Sequence, residues 1–529
     1  MSHVESSYDV VVIGAGHNGL ICANYLQRAG LWVCVFEARL EAGGGLCTEE
    51  TTIPGHLHNL ASVFHDAVEI MPAMKDLELA RFGMEYVRPE VQLGLALREG
   101  RPFLQYDTVE ATCRAIERRS HVDATAWRDM AEGYDEYFRT LIMPALYAPP
   151  PKPSEQALAL EETEQGRGFL RMLRATPVDV ACDAFVDEAT RAALLFQLLV
   201  PRGVVYDAAG LGMMVPLVVT GIEQTHLAKG GSHHLAHALW RALLSAKGKL
   251  RGTLKVSEIV VDNGRAVGVV LETGERVKAS KAVISAVDIE QTFLELIADK
   301  HLPAAFRKTV ASHRPDEFSL FGVHLALKEP PRYRAAAMEP DLDRACKVGI
   351  GFESVADFHE LFADVRLGRL PERPRMFACC PTLFDHTQAP AGRHTAFCWA
   401  IAPFHLRDGG ADAWDKRAAS FAERCLEAWR EVAPNMGGDN ILAVRTLTPR
   451  DIPRKFANMR EGGVFGGRMS QDQLDAFRPL PELSDFRTPV KGLYLAGASQ
   501  HPGGGILGAC GAIAAETVAE DLRIHPWWS

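Results

Sequence analysis

GLYLAGASQHPGGGILGACGA, residues 492–512, sets a short apolar run, a turn crowded with glycine and a helix start almost at the C-terminus. VVVIGAGHNGL, residues 10–20, repeats that order near the N-terminus. Glycine lets a backbone approach phosphate or a flat ring closely. Two such places at opposite ends of a 529-residue chain suggest one nucleotide held from both sides, as a flavin would be.

The N-terminal stretch carries the more local signal. Asp9 to Ile13 reads as a buried strand, Gly14-Ala15-Gly16-His17-Asn18-Gly19 as the turn, and Leu20, Ala23 and Leu26 as one face of a helix. Gly14 permits the tight turn, Gly16 admits a pyrophosphate and Gly19 lets the helix pack on the sheet; His17 and Asn18 lie in the same loop. Leu31 to Phe36 predicts the second strand. Glu37 closes it where a carboxylate would meet the adenosine ribose hydroxyls and repel a 2'-phosphate. Ala38 and Arg39 then lead into Gly43-Gly44-Gly45-Leu46, a second glycine cluster placed to lie beside the same pyrophosphate. Simple NAD-binding domains rarely have one there, which favours FAD.

Further along, Lys229-Gly230-Gly231-Ser232 opens another helix. Leu254 to Val256, Ile259 to Val261 and Ala266 to Glu272 read as short strands, with Asn263-Gly264 as a hairpin turn, and Val283 to Ala286 returns as a buried strand. The class is α/β. Residues 1–100, 225–300 and 485–529 are expected to form a nucleotide-binding domain, and residues 101–224 and 301–484 a discontinuous substrate domain. The proline-rich stretch from Pro144 to Pro153 reads equally as a lid or as a passive linker.

Composition excludes several classes. A net charge of -10 without any Lys/Arg run argues against nucleic acid. Eleven cysteines without a C-x-x-C spacing read as reduced thiols of a cytoplasmic protein, and Cys379-Cys380 are too close for an ordinary structural disulfide. No secretory signal is visible, and Leu194 to Val200 and Leu211 to Ile222 are too short to span a bilayer. Those runs, with Phe318 to Leu327 as a strand, either line an apolar tunnel or fill a core. Pro526-Trp527-Trp528 offers a peripheral membrane contact or packs as a tail. His233 and His237 share a helix face but lack a third ligand in register, so no metal is expected.

With these elements placed, the chain resembles the phytoene desaturase-like family of FAD oxidoreductases. The branch is that of carotene-ketolase-like and pyridine nucleotide-disulfide oxidoreductase domain proteins. VVVIGAGHNGLICANYL, FEARLEAGGGLCTEE, HLAKGGSHHLAHAL, VVDNGRAVGVVLETGE with AVISAVD, and LYLAGASQHPGGGILGACG carry the resemblance. Gly45 stands where many members have arginine, and Gln500 and Gly504 depart from the commonest residues. The resemblance implies a Rossmann-like FAD-binding domain of the glutathione-reductase/amine-oxidase type. Val256 would lie by the adenine, and Gly497, Ala498, Gly503, Gly504, Gly505 and Ile506 by the isoalloxazine, with a helix starting near Gly505 aimed at its pyrimidine side.

The implied reaction takes a hydride from a C–H of an apolar isoprenoid, carotenoid-like or alicyclic substrate to flavin N5 and forms a C=C bond. Oxygen or a quinone would accept the electrons. His501, His58 and His65 are the candidate catalytic residues, each with a structural role as its alternative, and Cys47 reads as packing. Other readings are an amine oxidase-like enzyme with an aromatic pair and a lysine at the flavin, a flavin-dependent isomerase, and a non-catalytic lipid or prenyl carrier.

Overall fold

The structure is a computed structural model describing residues 6–528. Two seven-stranded sheets organise it. In the first, Ser7–Ile13 lies between Val33–Phe36 and Arg276–Ser285, all parallel, and Lys249–Arg251 extends the sheet beyond Val33–Phe36. Arg276–Ser285 changes partner along its length. Its first half pairs antiparallel with Arg265–Leu271, and its last residues pair parallel with Leu493–Leu495. The C-terminal glycine turn is thereby delivered beside the N-terminal one.

Both faces of this sheet are covered, as parallel strands require. Val10 and Val12 pack under the helices His17–Arg28, His233–Ser245 and Ala509–Asp521 through Leu20, Leu235, Leu239 and Ile513. Val11 and Ile13 face Val269, Val283, Leu493 and Leu483. The hairpin turns at Asn263 and Gly264, with φ of 48° and 75°. Val256 to Val261 forms one strand, Val256–Asp262, rather than the two short ones expected, because it pairs along its length with Arg265–Leu271.

The second sheet runs Ile441–Leu447, Ser319–Leu327, His394–Ala402, Met376–Cys379, Lys347–Ile350, Val91–Ala96 and Phe103–Tyr106. Val91–Ala96 pairs parallel with Lys347–Ile350. A nucleotide domain running to residue 100 would therefore split this sheet, since six consecutive buried residues with a ladder partner belong with that partner.

Between Phe103–Tyr106 and Leu227–Ala228 the chain is helical. The apolar runs at 194–200 and 211–222 lie largely within Glu188–Arg202 and Met214–Thr220 and are mostly core. Pro153 opens the helix Pro153–Glu161 at its first turn, where proline forfeits no hydrogen bond, and residues 146–152 before it are irregular. The tail packs on the protein: Trp527 Nε1 donates to the Tyr25 carbonyl at 3.0 Å, and the Trp528 ring stacks on Tyr25 at 4.9 Å. No helix among the described residues is long and apolar enough to cross a membrane. The eleven cysteines are free, and all but Cys182 are buried.

Candidate functional site

The N-terminal loop is shaped by steric necessity. Gly14 takes φ +94°, and a side chain on Gly19 would collide with the Gly14 carbonyl and lie 2.9 Å from Ala286 Cβ. Gly16 differs, because a Cβ there would meet no protein atom within 4 Å and would project into a cavity. The second cluster closes over the first: Gly43 N donates to Ala15 O at 2.8 Å, and a Cβ on Gly44 would sit 3.2 Å from Gly16 Cα. Glu37 ties the strand end to the loop by accepting from the amides of Ala15 at 2.8 Å and Arg39 at 2.9 Å. Arg39 donates to the Gly44 carbonyl at 3.1 Å and lies over Phe456.

Val256 is not in the wall of the cavity between the glycine turns. It is buried in the apolar layer beneath the sheet, and the segment before it crosses Glu37 and Arg39, Leu254 N donating to Glu37 O and Thr253 N to Arg39 O. That crossing segment brings Val256 in directly after the residues paired with the Glu37 and Arg39 backbone.

The C-terminal turn closes the cavity from the other side. Gly504 N donates to Phe465 O at 2.8 Å, with the two backbones too close for any side chain at 504, while a Cβ on Gly505 would meet only Leu507 Cγ, at 4.0 Å. The helix starts at Ala509 rather than near Gly505, because Gly503, Gly505 and Gly508 hold φ of +117°, +103° and +71°, outside the helical region. Gly511 in its first turn lies against the Asn18 backbone, locking the last helix onto the first.

The cavity between the two turns is lined by Gly16, His17, Asn18, Gly19, Gly44, Gly45, Ala498, Gly504, Gly505 and Ile506 of the residues expected from sequence. Gly14, Glu37, Ala38, Arg39, Gly43, Leu46, Gly497 and Gly503 are not in that wall. Sequence reasoning missed the other half of the lining: Ala61 to Phe64 and Asp66, Phe377 and Trp399 of the second sheet, and Asn458, Met459 and Gly463 to Gly466. The doublets Gly462-Gly463 and Gly466-Gly467 were a readable signal.

Two buried charges hold this second half. The Asp316 carboxylate accepts from the amides of Phe465 at 2.7 Å and Gly467 at 2.8 Å, and burial pushes its pKa up despite those bonds. The Arg478 guanidinium donates to the carbonyls of Phe465, Gln473, Ala498 and Gln500, joining the 463–467 loop to the C-terminal turn.

A second cavity of about 550 Å³ adjoins the first and is mainly apolar, with Tyr137, Phe138, Ile142, Leu160, Phe169, Met214 and Leu217 in its wall. Pro150 and Pro151 border it, giving the proline-rich excursion a place at the rim. His501 lines it, its Nε2 lying 3.3 Å from the Ala145 carbonyl and its Nδ1 3.4 Å from Asp475. His58 and His65 line neither cavity. His58 bonds Thr52 at 2.8 Å and meets His324 edge-on, and burial takes its pKa down to about 4. His65 is spent on Tyr86 at 2.8 Å and Ser62 at 3.2 Å, and burial lowers it to about 3. His17, at the cavity wall, is lowered to about 4 by burial.

Phe64, Phe377 and Trp399 line the first cavity, but no described lysine lines either. The rings of His233, His234 and His237 cluster, yet among the described residues no group is placed to hold a metal. The open Cβ direction at Gly16, with the bare Gly44, Gly45, Gly504 and Gly505 in the same wall, forms a cradle that fits a flat dinucleotide cofactor.

Comparison with known proteins agrees. The flavin containing amine oxidoreductase family matches residues 19–520. A limonene dehydrogenase polypeptide of Castellaniella defragrans is 31% identical over 542 residues, covering 100% of this chain and 97% of that protein. Pyridine nucleotide-disulfide oxidoreductase domain-containing protein 2 of Mus musculus is 31% identical over 98% of this chain and 94% of its own length. The lycopene-forming phytoene desaturase of a Paracoccus species is 24% identical over 98% and 99%. With the double glycine cradle, the two-sheet fold and a match that spans nearly the whole sequence, this chain belongs to the flavin containing amine oxidoreductase family and is an FAD-dependent oxidoreductase.

Proposed function

We propose that the chain is a desaturase or dehydrogenase that removes hydrogen from adjacent carbons of an apolar isoprenoid or alicyclic substrate. The observation that carries this is the apolar cavity of about 550 Å³ sharing a wall with the cofactor cradle at Phe64, Pro201 and Gly504 to Ile506. A relative named for limonene, a cyclic isoprenoid hydrocarbon, supports the substrate class.

FAD when bound supplies the hydride acceptor. Gly16, Asn18, Gly19 and Gly44 would hold its pyrophosphate, Glu37 its ribose, and Ala498, Gly504, Gly505 and Ile506 its ring system. Tyr137, Phe138, Leu217 and their neighbours would exclude water and orient the hydrocarbon. The strands of the first sheet form the FAD-binding part, with residues 463–467 of the substrate part completing the cradle. An amine oxidase reading is less favoured, because neither cavity presents a described lysine.

Anaerobic bleaching of the FAD-loaded chain tests the proposal. Limonene or a polyene hydrocarbon should bleach the flavin and diamines should not. Bleaching by amines alone would replace the reading with amine oxidation. Double-bond migration without bleaching would indicate an isomerase, and failure to take up FAD a carrier. Reoxidation of the bleached enzyme by air or by a soluble quinone would separate the two electron acceptors.

A further inference from the structure

We propose that Asp66 is the proton acceptor of the dehydrogenation; this rests on the desaturase reading above. Losing a hydride from one carbon leaves a proton to be taken from its neighbour, so the acceptor must stand where the substrate cavity meets the cofactor cradle. Six described residues are common to the walls of the cofactor cradle and the apolar cavity: Phe64, Asp66, Pro201, Gly504, Gly505 and Ile506. Asp66 alone among them titrates.

Its carboxylate is held asymmetrically. Thr225 Oγ1 donates to Oδ1 at 2.5 Å and Lys347 Nζ donates to the same oxygen at 2.9 Å, while no donor among the described residues is placed on Oδ2. Oδ1 is thus the anchor and Oδ2 the open basic atom. Asp66 also lines a third, polar cavity walled by Gln92, Gln105, Arg202, Glu223 and Lys347, which provides a way out for the proton. In the step, Oδ2 forms an O–H bond with the substrate proton, and the released C–H electron pair becomes the π bond as the adjacent carbon gives its hydride to FAD. The proton then passes from Oδ2 into the polar cavity.

The charged and titratable groups around Asp66 are Lys347 on its strand, Arg202 at the end of its helix, Glu223 paired with Arg202, and the adjacent His65 with His226 beside it. Burial works to raise the Asp66 pKa, but the Lys347 charge and the Thr225 bond outweigh it and hold the group below the ordinary value. The carboxylate is therefore ionised and ready to accept at neutral pH.

The test uses the FAD-loaded chain, with limonene as probe. Asp66→Asn keeps the shape and the Thr225 contact, so FAD content should match wild type while anaerobic bleaching slows by about 10²- to 10⁴-fold. Its bound flavin should also show a higher midpoint potential, because a negative charge has left the cradle wall. Lys347→Met should move the acid limb of the bleaching rate to higher pH, a shift that a purely structural pair would not give. An unchanged rate or potential in Asp66→Asn beside an active wild type overturns this proposal alone. A wild type that no apolar hydrocarbon bleaches overturns the desaturase reading and this proposal with it.

Discussion

The amide of Gly43 donates to the carbonyl of Ala15 at 2.8 Å, so the two glycine clusters of the N-terminal region form one surface instead of two loops. Gly44 rests on Gly16 across that contact.

This makes the glycines separable by experiment. Gly16→Ala should fold normally and lose FAD, because its new methyl enters only the cradle. Gly19→Ala should lose about 3 kcal/mol of stability, because its methyl meets the Gly14 carbonyl in a packed core. Thermal unfolding of the FAD-free proteins, beside flavin content after purification, would distinguish them; equal melting losses would contradict the geometry.

Arg478→Met removes the donor shared by four buried carbonyls. A cost of about 3 kcal/mol is expected, since buried acceptors left unpaired forfeit their hydration without replacement. Flavin release should accelerate as well, because the link between the 463–467 loop and the C-terminal turn is gone. Denaturant unfolding and dilution-induced FAD release measure the two effects.

Acid should destabilise the fold earlier than its carboxylates alone would dictate. His17, His58, His65 and His324 are all depressed by burial, to about 4, 4, 3 and 3. Above the ordinary histidine value near 6.5 both folded and unfolded chains are neutral there, and nothing is lost. As pH falls below 6.5 the unfolded chain gains protons that the folded one refuses, and stability drops by up to about 1.4 kcal/mol per pH unit for each such group until the folded value is reached. Melting temperatures from pH 7.5 to 5 should fall in wild type and fall less steeply in His324→Phe.

Removing Pro526 to Ser529 should lower stability by about 1–2 kcal/mol through loss of the Trp527 and Trp528 contacts on Tyr25. Binding to phosphatidylcholine vesicles should be unaffected by the truncation. Loss of vesicle binding would return the tail to a membrane role.

Leu217→Trp should fill part of the apolar cavity and slow bleaching by a bulky hydrocarbon more than by a small one, with FAD content unchanged. Equal slowing for both would place the substrate elsewhere.

What the sequence made legible was local. Gly14 to Gly19, Asn263-Gly264 and the strand Ser319–Leu327 each declare themselves within a few residues, because turn and strand chemistry depend on neighbours. Asp316, Arg478 and Asp66 do not, since a charge read in its local sequence gives no sign of the amide, carbonyl or lysine it will meet. Asp66 and Lys347 lie 281 positions apart. The late start of the last helix at Ala509 was hidden for another reason: glycine tolerates both helical and left-handed φ, and Gly503, Gly505 and Gly508 take the latter.

The locking of Ala509–Asp521 onto His17–Arg28 also dictates when the enzyme can acquire its cofactor. During synthesis the first glycine loop emerges early, yet its opposite wall at Ala498 to Ile506 is translated only after both sheets' remaining strands. On the proposed cofactor placement, FAD would be enclosed only once that late segment has left the ribosome.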